Sequence, residues 1–89
     1  MWHYKRGAAR VRLNRLDAAQ ADLETALAAG PPPWVRGRTQ VEFGRLADLR
    51  GDRQGAQALY RQAAKLCEGD RDPLCADEAR RLMKRAYRP

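Results

Sequence analysis

The sequence predicts an all-α fold, a stack of about five antiparallel helices, and three observations carry that expectation. Five pairs of positions share one spacing of 37 residues: Gly7/Gly44, Asn14/Gly51, Ala19/Ala56, Leu23/Tyr60 and Ala26/Ala63. A constant period over small and apolar positions means one supersecondary unit used more than once, and periods of roughly 20–50 residues belong to solenoids and arrays. Apolar residues recur three and four apart, the spacing of one helix face, and no stretch shows sustained strand-like alternation. Sixteen alanines and few β-branched residues favour helix on propensity alone.

The elements follow in order. Gly7 to Leu13 suggests a first helix, and Leu16, Ala19, Leu23, Ala26 and Leu27 place a second on one apolar face. Asn14 sits where these two must reverse, because Asn or Gly suits the left-handed residue that closes a helix. Gly30-Pro31-Pro32-Pro33 ends the second helix, since proline cannot continue one. A third helix runs from Thr39 to Leu49 with Phe43, Leu46 and Ala47 inward. Gly51-Asp52 makes the next reversal, with Asp52 suited to cap the fourth helix, whose inner face is Ala56, Leu59, Tyr60, Ala63, Leu66 and Cys67. After Gly69-Asp70-Arg71-Asp72-Pro73, a last helix is expected from about Leu74 to Arg88, with Cys75, Ala79, Leu82, Met83, Ala86 and Tyr87 on its apolar side. The organisation read from these breaks is a single domain over residues 1–89: unit one over about 1–30, a corner at 31–34, unit two over about 35–68, and a final helix at 74–88.

At this point the pattern resembles the tetratricopeptide repeat, a helix–turn–helix unit of 34 residues. Its marks are a small residue midway along helix A, glycine at the turn, two alanines in helix B with an aromatic between, and proline afterwards. They fall on Gly7, Asn14, Ala19, Leu23, Ala26 and Pro31, then on Gly44, Gly51, Ala56, Tyr60 and Ala63. The resemblance covers about residues 3–68. It departs in its longer period, with three residues inserted around Gly30–Trp34, and in His3 and Gln40 where helix A would begin with a large aromatic.

The resemblance implies a right-handed α-solenoid that binds proteins and has no active site. By alignment to the family, the concave face carries Tyr4, Ala8, Val11, Arg38, Val41, Arg45 and Asp48. Neither Asn nor Lys is among them, so the family's clamp for a peptide carboxylate is not expected. Arg38 and Arg45 are suited to an acidic group, or simply solvate the groove.

The chemistry available agrees with a non-enzymatic role. There is no serine, a single histidine (His3), one threonine in each unit (Thr25 and Thr39), and no His/Cys set at zinc spacing, so neither a catalytic triad nor a metal or other cofactor is expected. The formal charge is +7, and 15 of the 18 basic residues are arginine. These cations are scattered among acids except in Arg80–Arg88, so nucleic acid is not the expected partner. No apolar run reaches the ~18 residues of a membrane span, and Met1–Arg6 lacks the apolar stretch of a secretory signal.

Cys67 and Cys75 close and open consecutive helices, a spacing that allows a disulfide and with it an extracytoplasmic or extracellular compartment. Two buried thiols acting as small apolar residues are the alternative. Trp34, straight after the prolines, either anchors an interface or packs on a lengthened start of the third helix.

Repeat units need capped ends. The first helix offers Trp2 and Tyr4 with no unit before it, and the last offers Leu82, Met83 and Tyr87 with none after. The expected function is therefore a protein-interaction scaffold that self-associates head to tail into an oligomer or filament, with Trp2, Tyr4, Trp34, Leu82, Met83 and Tyr87 at the interface. The alternative is an adaptor that binds an acidic peptide on its concave face.

Overall fold

The computed structural model describes residues 2–88; Met1 and Pro89, the outermost positions of the expected domain, lie outside the described residues. Among the described residues there are five α-helices and no strand: α1 Trp2–Arg12, α2 Leu16–Ala28, α3 Pro33–Leu49, α4 Arg53–Gly69 and α5 Pro73–Lys84. Each helix packs chiefly on its sequence neighbours, α1 also reaches α3, and α3 reaches α5. The chain forms a slab of 30 × 29 × 17 Å.

Three of the four connections use one device. Asn14, Gly51 and Arg71 take φ of 59°, 83° and 56°. In each case the amide of that residue and the next reach back to the preceding helix: Asn14 to Val11 and Arg15 to Arg10, Gly51 to Asp48 and Asp52 to Ala47, Arg71 to Glu68 and Asp72 to Cys67. This is the Schellman closure, which satisfies carbonyls that a helix end otherwise leaves without donors. Asp52 and Asp72 then cap the following helices by accepting from the Gly55 and Cys75 amides at 2.9 and 3.3 Å. Gly69 is the last residue of α4, so the left-handed position of the third turn falls on Arg71, two residues later.

The repeated small residues are sites of close helix approach. A Cβ at Gly7 would lie 2.8 Å from Leu23 Cδ2, and one at Gly44 would lie 2.5 Å from Tyr60 Cδ1, so each pair at the 37-residue spacing makes the same contact. Two clusters form the core. Val11, Ala19, Leu23 and Leu46 join α1, α2 and α3, while Val41, Tyr60, Ala63, Cys67, Ala76, Ala79 and Leu82 join α3, α4 and α5.

Three helix limits differ from expectation, the first being α1, which starts at Trp2, five residues before Gly7. α3 begins at Pro33, six residues before Thr39, because proline's fixed φ and missing N–H suit a first helical position. The corner is therefore Ala29–Pro32 instead of 31–34, and Trp34 belongs to the helix. α5 ends at Lys84 instead of Arg88, with Arg85 extended at φ −139° and ψ 125°. Arg53 terminates it: its guanidinium donates to the carbonyls of Leu82 and Met83 at 2.7 and 2.8 Å, holding a cation at the negative end of the helix.

Candidate functional site

The first, third and fifth helices share one face, and it carries a groove of about 320 Å³. α1 contributes Tyr4 and Arg12, α3 contributes Arg38, Val41, Glu42 and Arg45, and α5 contributes Leu74, Cys75, Glu78 and Arg81. The stripe on α3 is helical in spacing, one side chain per turn.

Alternating charges run across the groove floor. Arg12 donates to Glu42 at 3.3 Å, Arg45 donates to Glu42 at 2.6 Å and to Glu78 at 2.8 Å, and Arg81 bonds Glu78 in turn. Five charged groups on three helices are thus bound in one ladder. Burial opposes the charge on Arg45, but Glu42 and Glu78 outweigh it and hold the guanidinium above its ordinary pKa. Tyr4 is also raised, first by burial and then by Glu42, so its hydroxyl stays protonated and available as a donor. At the rim, Arg38 makes a two-pronged contact with Asp72 at 2.8 and 3.0 Å, which holds the Asp72 carboxyl below its ordinary value against the opposing effect of burial. Trp34 meets the edge of Tyr4 at 6.5 Å between ring centroids, and Arg38 lies 5.8 Å from the Trp34 ring.

The concave residues expected from the sequence divide three ways. Tyr4, Arg38, Val41 and Arg45 do line the groove. Ala8 is half-buried outside it, and Val11 is a core residue with no exposure. Asp48 has an almost fully buried carboxylate, committed to the Tyr60 hydroxyl at 2.6 Å, the Arg53 guanidinium at 3.0 Å and the Tyr87 amide at 3.0 Å. Arg38 and Arg45 are bound to Asp72, Glu42 and Glu78, so neither is a free cation awaiting an acidic ligand.

The end-interface residues are likewise split. Trp2 is 61% exposed, with the Arg6 guanidinium 3.9 Å from its ring centre. Tyr4 lines the groove, and Trp34 packs on its edge without lining the groove itself. Leu82 is buried in the core, and Met83 and Tyr87 are half-buried against it, so these three do not form an exposed apolar end. Around the exposed Leu74, α5 instead presents Asp77, Arg80, Arg81 and Lys84.

Sequence reasoning missed Arg12, Glu42, Leu74, Glu78 and Arg81. One signal was present: Glu-x-x-Arg occurs at Glu42–Arg45, Glu68–Arg71 and Glu78–Arg81, the first and last of these 36 residues apart, one short of the repeat period. A further network forms the α1–α2 contact. Asp22 accepts from Arg6 at 2.6 and 2.8 Å and from Arg10 at 2.7 Å, with His3 at 3.7 Å. The bonds from Arg6 keep its carboxyl below the ordinary value despite burial.

Cys67 and Cys75 lie at disulfide distance, with 5.7 Å between their Cα atoms. No described helix is long and apolar enough to cross a membrane, and among the described residues no three His, Cys, Asp or Glu side chains gather as a metal site would require. Set against protein-family models, curated proteins and solved structures, the chain matches none of them.

Proposed function

We propose that this chain is a tetratricopeptide-like interaction module, two and a half units of a short right-handed solenoid, whose α1–α3–α5 groove takes an extended segment of a protein partner. The observation that carries the reading is the groove itself. Its charges are already paired to one another, while Leu74 and the Tyr4 hydroxyl line it and the partly exposed Trp34 packs on Tyr4 beside it. A floor neutralised from within favours a segment that contributes an apolar side chain and backbone hydrogen bonds over one that contributes charge alone. No catalytic step is assigned to it.

Peptides selected from a random display library against the folded chain test this. Leu74→Asp and Trp34→Asp alter exposed positions, 75% and 38% accessible, with little effect on the core. Selected peptides are expected to lose at least ten-fold in affinity for the double variant. Equal binding to variant and parent refutes the reading.

Head-to-tail association is the second reading, supported by the exposure of Trp2 on α1 and of Leu13 in the turn that follows it, 61% and 64% accessible. It is the weaker one because the α5 end would set Arg80 and Lys84 against a surface that already carries Lys5. Light scattering of the parent chain and of Trp2→Glu across a concentration series tests it; the same monomer mass for both ends it.

A further inference from the structure

Beyond Lys84 the chain leaves the helix, extended at Arg85, and brings Tyr87 against α3. The stripe Arg38, Val41, Arg45, Asp48 continues along α3, but only the stretch up to Arg45 borders the open groove. The remainder is occupied by Tyr87. Its amide donates to Asp48 Oδ2 at 3.0 Å, its ring lies 5.2 Å from the Arg45 guanidinium, and it packs against both core clusters at once. Arg45 divides the two halves and faces a ligand position in each.

We infer that the Arg45–Asp48 half of this face is a subsite for an aromatic side chain on an extended backbone, and that Arg85–Tyr87 is its resting occupant, displaced by a partner segment of the same chemistry. The inference rests on the groove reading above and names its ligand. The resident segment shows what the subsite selects: a backbone N–H for the buried Asp48 carboxylate, an aromatic face for a desolvated arginine, and extended geometry. Arg45 Nε is buried and has no acceptor, a donor that an incoming backbone carbonyl would satisfy.

Displacement is feasible because the segment is weakly held. Tyr87 is only half-buried and Arg85 and Arg88 are exposed, so the hydrogen bond to Asp48, the Arg45 contact and partial packing on the core are all that offset the entropy of ordering these residues. A docked segment lowers apparent affinity for an outside ligand by the fraction of molecules in which the site is open.

The test uses the peptide Arg-Ala-Tyr-Arg-Pro, the sequence of residues 85–89, titrated into two ¹⁵N-labelled proteins, the full chain and a chain ending at Lys84. Saturable shifts at the Phe43, Arg45 and Asp48 amides are expected in the shortened chain, with affinity at least ten-fold weaker in the full chain. The same peptide with alanine for tyrosine should give none. No saturable shift in a folded shortened chain, or equal affinity for both proteins, overturns the proposal. If circular dichroism shows the shortened chain unfolded, Tyr87→Ala in the full chain takes its place with the same outcomes. The two readings fail separately. Library peptides that bind through Leu74 and Trp34 whatever residue 87 is would keep the groove and remove the subsite, whereas pentapeptide binding with no library binders would do the reverse.

Discussion

Replacing Gly44 with alanine sets two effects of opposite sign against each other at one atom. In an exposed helix interior that change stabilises by about 1 kcal/mol, through backbone entropy. Here the new Cβ would sit 2.5 Å from Tyr60 Cδ1 and closer still to Cε1, where ordinary contact begins near 3.4 Å. Something must move by close to an ångström. The ring has no exposed surface into which to swing, and its hydroxyl is fixed to Asp48 at 2.6 Å. The strain therefore lies toward the upper end of the ~1–3 kcal/mol typical of overpacking. The net expectation is a loss of about 2 kcal/mol, which in a domain of this size lowers the melting temperature by about 10 °C.

Gly69→Ala supplies the control. It is also helical, nothing lies within 4 Å of the added atom, and it should be neutral or gain up to about 0.5 kcal/mol near the frayed helix end. Urea denaturation followed by circular dichroism, on both variants and the parent, reads all three. Gly44→Ala at or above parental stability would refute the claim that this contact fixes how closely α3 and α4 approach.

Three other outcomes are expected. The Asp22 carboxyl lies below its ordinary value of 3.8 because Arg6 and Arg10 bond its charged form, so its contribution is complete above the unfolded-state pKa and is lost as pH falls through the lower folded-state one. Urea midpoints measured from about pH 6 down to about pH 2 should therefore fall less steeply in Asp22→Asn than in the parent. Reducing the Cys67–Cys75 pair, eight residues apart, should cost about 2.5 kcal/mol by loop-closure entropy, read as a lower thermal midpoint in reductant and no change in a Cys67→Ala, Cys75→Ala double variant. Arg53→Ala removes the cap on the Leu82 and Met83 carbonyls and leaves the buried Asp48 without the cation that pairs with it. It should destabilise by about 2–3 kcal/mol, with amide exchange accelerated first in α5.

What could be read from the sequence was whatever is carried by local spacing. Gly44 and Tyr60 are 16 residues apart within one unit, and Gly7 and Leu23 repeat that separation, so the close approach was legible before any coordinates. The turns at Asn14 and Gly51 were legible for the same reason, because a left-handed residue leaves its mark in residue type. Arg71 takes that conformation without being Asn or Gly, so the exact left-handed residue of its turn was not marked. The end of α5 was also hidden, because Arg53, about thirty residues upstream, fixes it. Likewise, Arg38 reads as open to a ligand in sequence, but the Asp72 that engages it lies 34 residues away, while Arg45 has one partner at local helical spacing, Glu42, and a second, Glu78, 33 residues away. Pairing across the fold decides whether a surface cation is free, and a periodic pattern does not record it.

The ladder from Arg12 through Glu42, Arg45 and Glu78 to Arg81 also bears on how this chain can diverge. Glu42 and Arg45 are 2% and 8% exposed, and each has partners on both sides. Reversing or deleting a single inner charge leaves its neighbours desolvated and uncompensated, so that change is purged alone and tolerated in company. Related chains should consequently substitute positions 42, 45 and 78 together, for instance all three to apolar residues of similar volume, and rarely one at a time. The positions outside this network, such as the exposed Leu74 and Trp34, carry no such constraint and are free to change one at a time.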